Sequence, residues 1–278
     1  MKHNNSLSRR GLLKAMGAGA VALSIGIPLT RSIVLGQQSA DSPINHAVAM
    51  RIRDGQFIFD PVALRIEPGD SITWFQVADL HSTTAFHPTN NNHQLRIPEG
   101  AEPWDSGILG VGGNPLTFVH EFGDQQGVYD YFCIPHEFLG MVGRIVVGEA
   151  LPGPATEQPL PDVALGVIPD IDTLTGLAGA TYDGEAGLNA PLLDLFNDNP
   201  DAAVSSIELF IESFENGMQE DGSLWAALES SSRLAGFRSQ LEEFAVLIRD
   251  NSTFTDALNK GDELKSTLEL ARQDLDAS

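Results

Sequence analysis

Cys133, His136 and Met141 fall within the nine residues Cys133-Ile134-Pro135-His136-Glu137-Phe138-Leu139-Gly140-Met141. A strand delivering Cys133, a tight loop carrying His136 and a second strand starting at Met141 let one loop offer a thiolate, an imidazole and a thioether to one point. A fourth ligand must come from elsewhere in the chain. His81 is the first histidine after the apolar run ending near Phe75, and it is preferred to His87 for that reason. A soft thiolate with two imidazoles in a trigonal plane and a long axial thioether suits copper that alternates between Cu(I) and Cu(II). If protein fills every position, no coordination site is open to a substrate. The expectation is therefore one type 1 copper per chain, carrying electrons, and not an enzyme.

Cysteine usage agrees with that chemistry. Cys133 is the single cysteine, so a disulfide within the chain is impossible, and an exposed thiol would be prone to oxidation. Metal ligation supplies a reason for keeping it. His87 and His93 stand six and twelve residues after His81 and are candidates for a second metal. His46 and His120 lie on strand-like runs and read as structural or solvated.

These ligands need rigid elements to hold them. Short alternating runs separated by turn residues extend from His46 to Val147, namely 47–52, 57–59, 63–66, 71–75, 116–122, 127–133 and 144–147. Such spacing predicts a Greek-key β-sandwich over residues 44–149. The two-residue period puts Tyr129, Tyr131 and Cys133 on one face, the core face. A His-, Asn-, Pro- and Gly-rich stretch from Thr84 to Ile108 is too long for a plain turn and is expected to cover the sandwich.

Residues 150–184 read as a Pro/Gly-rich linker, and residues 185–278 as an acidic helical region. Asp201 is placed to cap a helix running to about Met218, and Ser223 to cap the next, with Leu241, Phe244, Leu247 and Ile248 on one face. Ser252 or Thr253 opens a third helix whose apolar positions are Leu258, Leu264, Leu268 and Leu270. These three helices are expected to form a small bundle or to bind a protein partner or a second copy.

The first forty residues read as an address. Ser8-Arg9-Arg10-Gly11-Leu12-Leu13-Lys14 precedes the apolar run Ala15 to Leu29, as in a twin-arginine signal peptide. Export to the periplasm, the cell surface or the medium follows as an expectation. The formal net charge is −22. Residues 41–149 hold 14 acidic residues against five Arg and no Lys, and residues 150–278 hold 24 against six basic ones. That balance disfavours nucleic acid and anionic membranes. It suits either a basic partner or a high-salt medium.

Three segments together resemble the cupredoxins, specifically the plastocyanin, halocyanin and pseudoazurin group. They are Glu67-Pro68-Gly69-Asp70 before Ile72-Thr73-Trp74, Asp105-Ser106-Gly107-Ile108-Leu109 before Phe118 and Phe122, and the Cys133 loop. The resemblance covers roughly His46 to Gly148. It implies a blue copper site built from His81, Cys133, His136 and Met141, and a redox partner such as a cytochrome or a copper or haem oxidoreductase. It also implies that Pro135, which has no N–H to give the Cys133 sulfur, tunes the potential. Phe138 and Leu139 are then an apolar rim around the imidazole edge. Ser82 stands where many relatives have Asn. Phe132 stands where plastocyanins often have Tyr as an outer electron port, so a second port is in doubt and Phe132 is expected to pack beneath the C-terminal part. A copper-handling protein with a helical interaction module is the alternative. The His81–His87 spacing is also similar to that of copper nitrite reductases, which need further His from a second such domain that this chain does not have.

Overall fold

The computed structural model describes residues 43–176, 178–217, 233, 236–250 and 253–276. The twin-arginine segment and the capping positions Ser223 and Ser252 lie outside them. Among the described residues there are eight strands: β1 (Asn45–Arg53), β2 (Gln56–Asp60), β3 (Ala63–Ile66), β4 (Ser71–Gln76), β5 (Thr84–Ala85), β6 (Thr117–Glu121), β7 (Gly127–Phe132) and β8 (Val142–Val147). They form two four-stranded sheets, ordered β2-β1-β4-β6 and β3-β8-β7-β5. The chain crosses between the sheets after each of β2, β3, β4, β5 and β6, which gives the expected sandwich. β1 runs parallel to β4 and β3 parallel to β8, and the remaining pairs are antiparallel.

The alternation works as expected on the inner faces. Val48, Met50, Ile72, Trp74, Tyr129, Tyr131, Ile145 and Val147 meet in one core cluster together with Cys133 and Met141. Gly143 sits opposite Tyr131 in the β7–β8 ladder, and a Cβ there would strike the Tyr131 ring. β7 and β8 are nevertheless buried at every position, so their outer faces are covered as well.

The cover comes from the segment expected to be a linker, and that expectation is corrected. Residues 150–184 contain α1 (Pro154–Glu157), a 3-10 turn (Asp162–Ala164) and α2 (Ile171–Thr175), and α3 (Gly179–Phe196) begins six residues before the expected helical region. Ala155, Leu174 and Tyr182 pack on Ala63, Val128 and Val146, and Ala164 and Ile168 pack on Phe86, Phe132 and Val142. Burial of these apolar groups outweighs the Pro- and Gly-rich composition. Ions reinforce it. Asp130 and Arg144 are cross-strand partners, and Asp130 lies between Arg96 (Nε–Oδ2 2.8 Å) and Arg144 (Nε–Oδ1 2.7 Å), all three buried. The remaining guanidinium N–H groups donate to the carbonyls of Ala155, Pro159 and Pro169.

The helices lie on the other sheet. α3, α4 (Pro200–Gly217), α5 (Phe237–Arg249) and α6 (Phe254–Asp276) share a core with Ala47, Ala49 and Phe75 from the outer face of β1 and β4. Thr253 opens α6 as expected: its Oγ1 accepts from Asp256 N, and its own N donates to Asp256 Oδ2. Leu241, Phe244 and Ile248 are buried, as are Leu264 and Leu268, but Leu270 is exposed and is not an apolar contact of α6. A buried polar seam joins the layers. Lys265 Nζ donates to Asp60 Oδ2 (2.8 Å) and Asn189 Oδ1 (2.6 Å), and Arg51 reaches Asp60 and Asp262.

Glu185 sits beside that seam, paired with Arg272 (2.6 Å). Burial pushes its carboxyl up to about 7 from an ordinary 4.5, although Arg272 opposes the shift. The folded state therefore binds more protons than the unfolded state between those values, and stability falls as pH rises through that window. Urea unfolding of Glu185→Gln across the window is expected to show a flatter pH dependence than the parent. An unchanged slope would rule this assignment out.

Candidate metal centre

Three of the four expected ligands converge. His136 Nδ1 lies 3.3 Å from His81 Nδ1, and the Cys133 Sγ lies 3.7 Å from His81 Nδ1 and 3.6 Å from His136 Nδ1. Among the described residues, this is the one group of three or more His, Cys, Asp or Glu able to share a metal ion. His81 and Cys133 are fully buried and His136 is half-buried. Met141 is also fully buried, in the same core cluster as Cys133, and its carbonyl accepts the Cys133 N–H at 3.0 Å.

Local structure explains the convergence. β7 ends at Phe132 and hands Cys133 to the loop. The chain then turns: His136 N donates to Cys133 O, the 3-10 turn Glu137–Leu139 follows, and Gly140 closes it at φ +86°, a left-handed conformation that suits glycine. Met141 N returns to His136 O at 3.2 Å before β8 starts. The opposite side of the site is fixed from β4 and β5. His81 N donates to Gln76 Oε1, and Leu109 N donates to His81 O. Ser82 ties the halves together: its N–H donates to Cys133 Sγ at 3.3 Å, and its Oγ accepts from Ile134 N at 2.7 Å. Sequence reading noted Ser82 only as a departure from the family pattern.

The other described histidines are engaged elsewhere. The two His93 nitrogens meet Asn90 O (2.8 Å) and Glu137 Oε2 (2.9 Å), and its ring stacks on Phe132. It braces the ligand loop from outside. His87 Nδ1 meets Thr89 Oγ1, His46 meets Asp70, and His120 stacks on Trp104. Phe132 is buried under Ala164 and Ile168, so the C-terminal part does cover it.

A profile of copper binding proteins of the plastocyanin/azurin family matches residues 46–148. A pseudoazurin of Methylorubrum extorquens is 33% identical over 95 residues, 34% of this chain and 55% of that protein. A halocyanin of Natronomonas pharaonis is 31% identical over 91 residues, 33% of this chain and 48% of that protein. Among solved structures, a Sinorhizobium pseudoazurin is 30% identical and aligns over 42% of this chain and 85% of its own, with a TM-score of 0.34. Residues 46–148 of the chain thus match the plastocyanin/azurin family and form a cupredoxin domain. The chain spans about half the length of the two curated relatives, and its cupredoxin domain is followed by helices that lie outside the matched residues.

The donor set of this cupredoxin domain fits copper: a thiol sulfur and two imidazole nitrogens, nearly equidistant, with Cys133 and His81 buried and His136 half-buried. Protonation is set by that burial. With no metal bound, burial pushes the Cys133 thiol up to about 11, opposed by the Ser82 N–H. Burial, and then the neighbouring His136, pushes His81 down to about 4. At neutral pH the imidazoles are ready to bind, while the thiol must first lose its proton. From neutral pH up to about 11, metal uptake thus releases one proton, and affinity falls about tenfold for each unit of pH lost. Calorimetry in buffers of different ionisation heat counts that proton; a count of zero contradicts the assignment.

One functional contact was missed in the sequence. Phe57, on β2, stacks on His136 with ring centroids 3.8 Å apart and planes 12° apart. It covers one face of the least buried of the three candidate ligands and holds its plane. Phe57→Ala is expected to speed chelator-driven metal loss about tenfold, within the range for groups that orient metal ligands. Equal loss rates would show the stack to be incidental.

Proposed function

We propose that this chain is an exported type 1 copper protein that passes single electrons between redox partner proteins. The observation that carries the reading is the tight triangle of His81 Nδ1, Cys133 Sγ and His136 Nδ1, two of its corners buried. Met141 is the fourth ligand in this reading, supported by its burial beside Cys133 and its backbone tie to it. One copper per chain supplies a one-electron couple.

The residues of the chain do the rest. The sandwich core and the extension hold the donors in place, so little rearranges when charge changes. Trp104 Nε1 donates to Thr83 Oγ1 and Thr84 Oγ1 to Asp105, which stiffens the His81 side. His136 is the one ligand of the three that reaches solvent, and it offers the path for an electron to enter or leave. The twin-arginine run at Ser8–Lys14 supports export in a folded, metal-ready state. An acidic surface with few basic residues supports a basic redox partner over nucleic acid.

Copper-loaded protein is expected to show an intense blue band that bleaches with reductant. Cys133→Ser abolishes the band, whereas Met141→Leu keeps it and raises the potential, because a donor to Cu(II) is lost. Spectroscopy with potentiometry checks all three; colourless loaded protein overturns the reading.

A further inference from the structure

The apolar rim near His136 does not end with the cupredoxin domain. The ligand-loop turn Glu137–Leu139 lies against the extension turn Asp162–Ala164. A Cβ on Gly140 would stand 3.6 Å from the Val163 carbonyl oxygen and 3.7 Å from Val167 Cγ2, so the loop and the extension are in contact. On this joint surface Phe138 is 74% exposed, Leu139 51%, Leu165 60% and Val167 37%. Leu165 is held there by firm neighbours, since Ala164 and Ile168 are buried against Phe132 and Val142. Apolar side chains fixed on the surface by a buried base are suited to being covered by another molecule.

Charge narrows the occupant. The segments that make or flank this surface, 77–82, 134–141 and 158–170, contain Asp79, Glu137, Asp162 and Asp170 and no Lys or Arg. Asp79 lies close enough for its charge to act on the His136 ring. The basic side chains behind the surface, Arg96 and Arg144, are buried and paired with Asp130.

We propose that Leu165 and Val167 of the C-terminal extension are part of the redox docking surface, and that its occupant is a protein presenting an apolar patch ringed by basic residues. This rests on the electron-carrier reading. The same segment closes the Phe132 face, so a partner must approach over His136 and touch the extension as it does so.

The test uses the full chain with mitochondrial cytochrome c, a lysine-ringed haem protein, as probe. Calorimetry on the metal-free chain at low ionic strength is expected to show salt-sensitive binding. L165S/V167S weakens it about tenfold, comparable with Phe138→Ser, as for truncated anchors at an interface. Asp162→Lys weakens it further and lowers its salt dependence. Circular dichroism matching the parent shows that the variants fold. Equal affinity of parent and L165S/V167S, or tighter binding of the parent to an acidic ferredoxin, overturns the composite surface. The readout is independent of redox turnover. Failure of the loaded chain to bleach and recolour with small inorganic reagents overturns the electron-carrier reading instead.

Discussion

Asp130 is a carboxylate with no access to water, and its charge has to be answered inside the protein. Arg96 and Arg144 answer it on both oxygens. Those guanidiniums carry more N–H groups than Asp130 can accept, and the surplus goes to carbonyls at 155, 159 and 169. One buried charge on β7, three residues before Cys133, thereby fixes the β7–β8 pairing and draws the extension onto the outer face of the sheet. Removing one partner of such a group is costly because the remaining charge stays buried. The ligand loop inherits that rigidity at both ends, since β7 supplies Cys133 and β8 follows Met141.

The site itself is a compromise of a similar kind. Burial opposes ionisation of the thiol and protonation of His81. A metal cation reverses the first effect and exploits the second. The bond that Ser82 N donates to the sulfur and the bond that His81 N donates to Gln76 Oε1 fix the geometry.

The inner faces of the sandwich were legible because alternation is a strong signal, and the ligand loop because three donor types so close together serve few other purposes. The outer faces were not legible. Phe132, Val142 and Val146 follow strand periodicity too, but what covers them comes from Ala155, Ala164, Ile168 and Leu174, which are spaced too irregularly to show a period. Helix α3 was not singled out within the expected helical region, and its first six residues fell in the expected linker, for a different reason. It carries Pro191 and glycines, and it is buried on more than one side, between the sandwich and the other helices. A Cβ on Gly187 would meet Phe210, and one on Gly184 would meet Leu268. Glycine there reflects close helix packing and not a break. Phe57 was missed because its partner His136 lies in a distant part of the chain, and stacking leaves no mark on local sequence.

Lys265 meets Asp60 across 205 positions of sequence, and it does so with both groups buried. During synthesis the sandwich strands leave the ribosome long before the cation that neutralises one of them. Until α6 arrives, the Asp60 carboxylate relies on Arg51, while α3 already packs on the outer face of β1. The buried pair that ties the sandwich to α6 is therefore completed only once residue 265 has been made, although the four candidate copper ligands all lie within the first 141 residues.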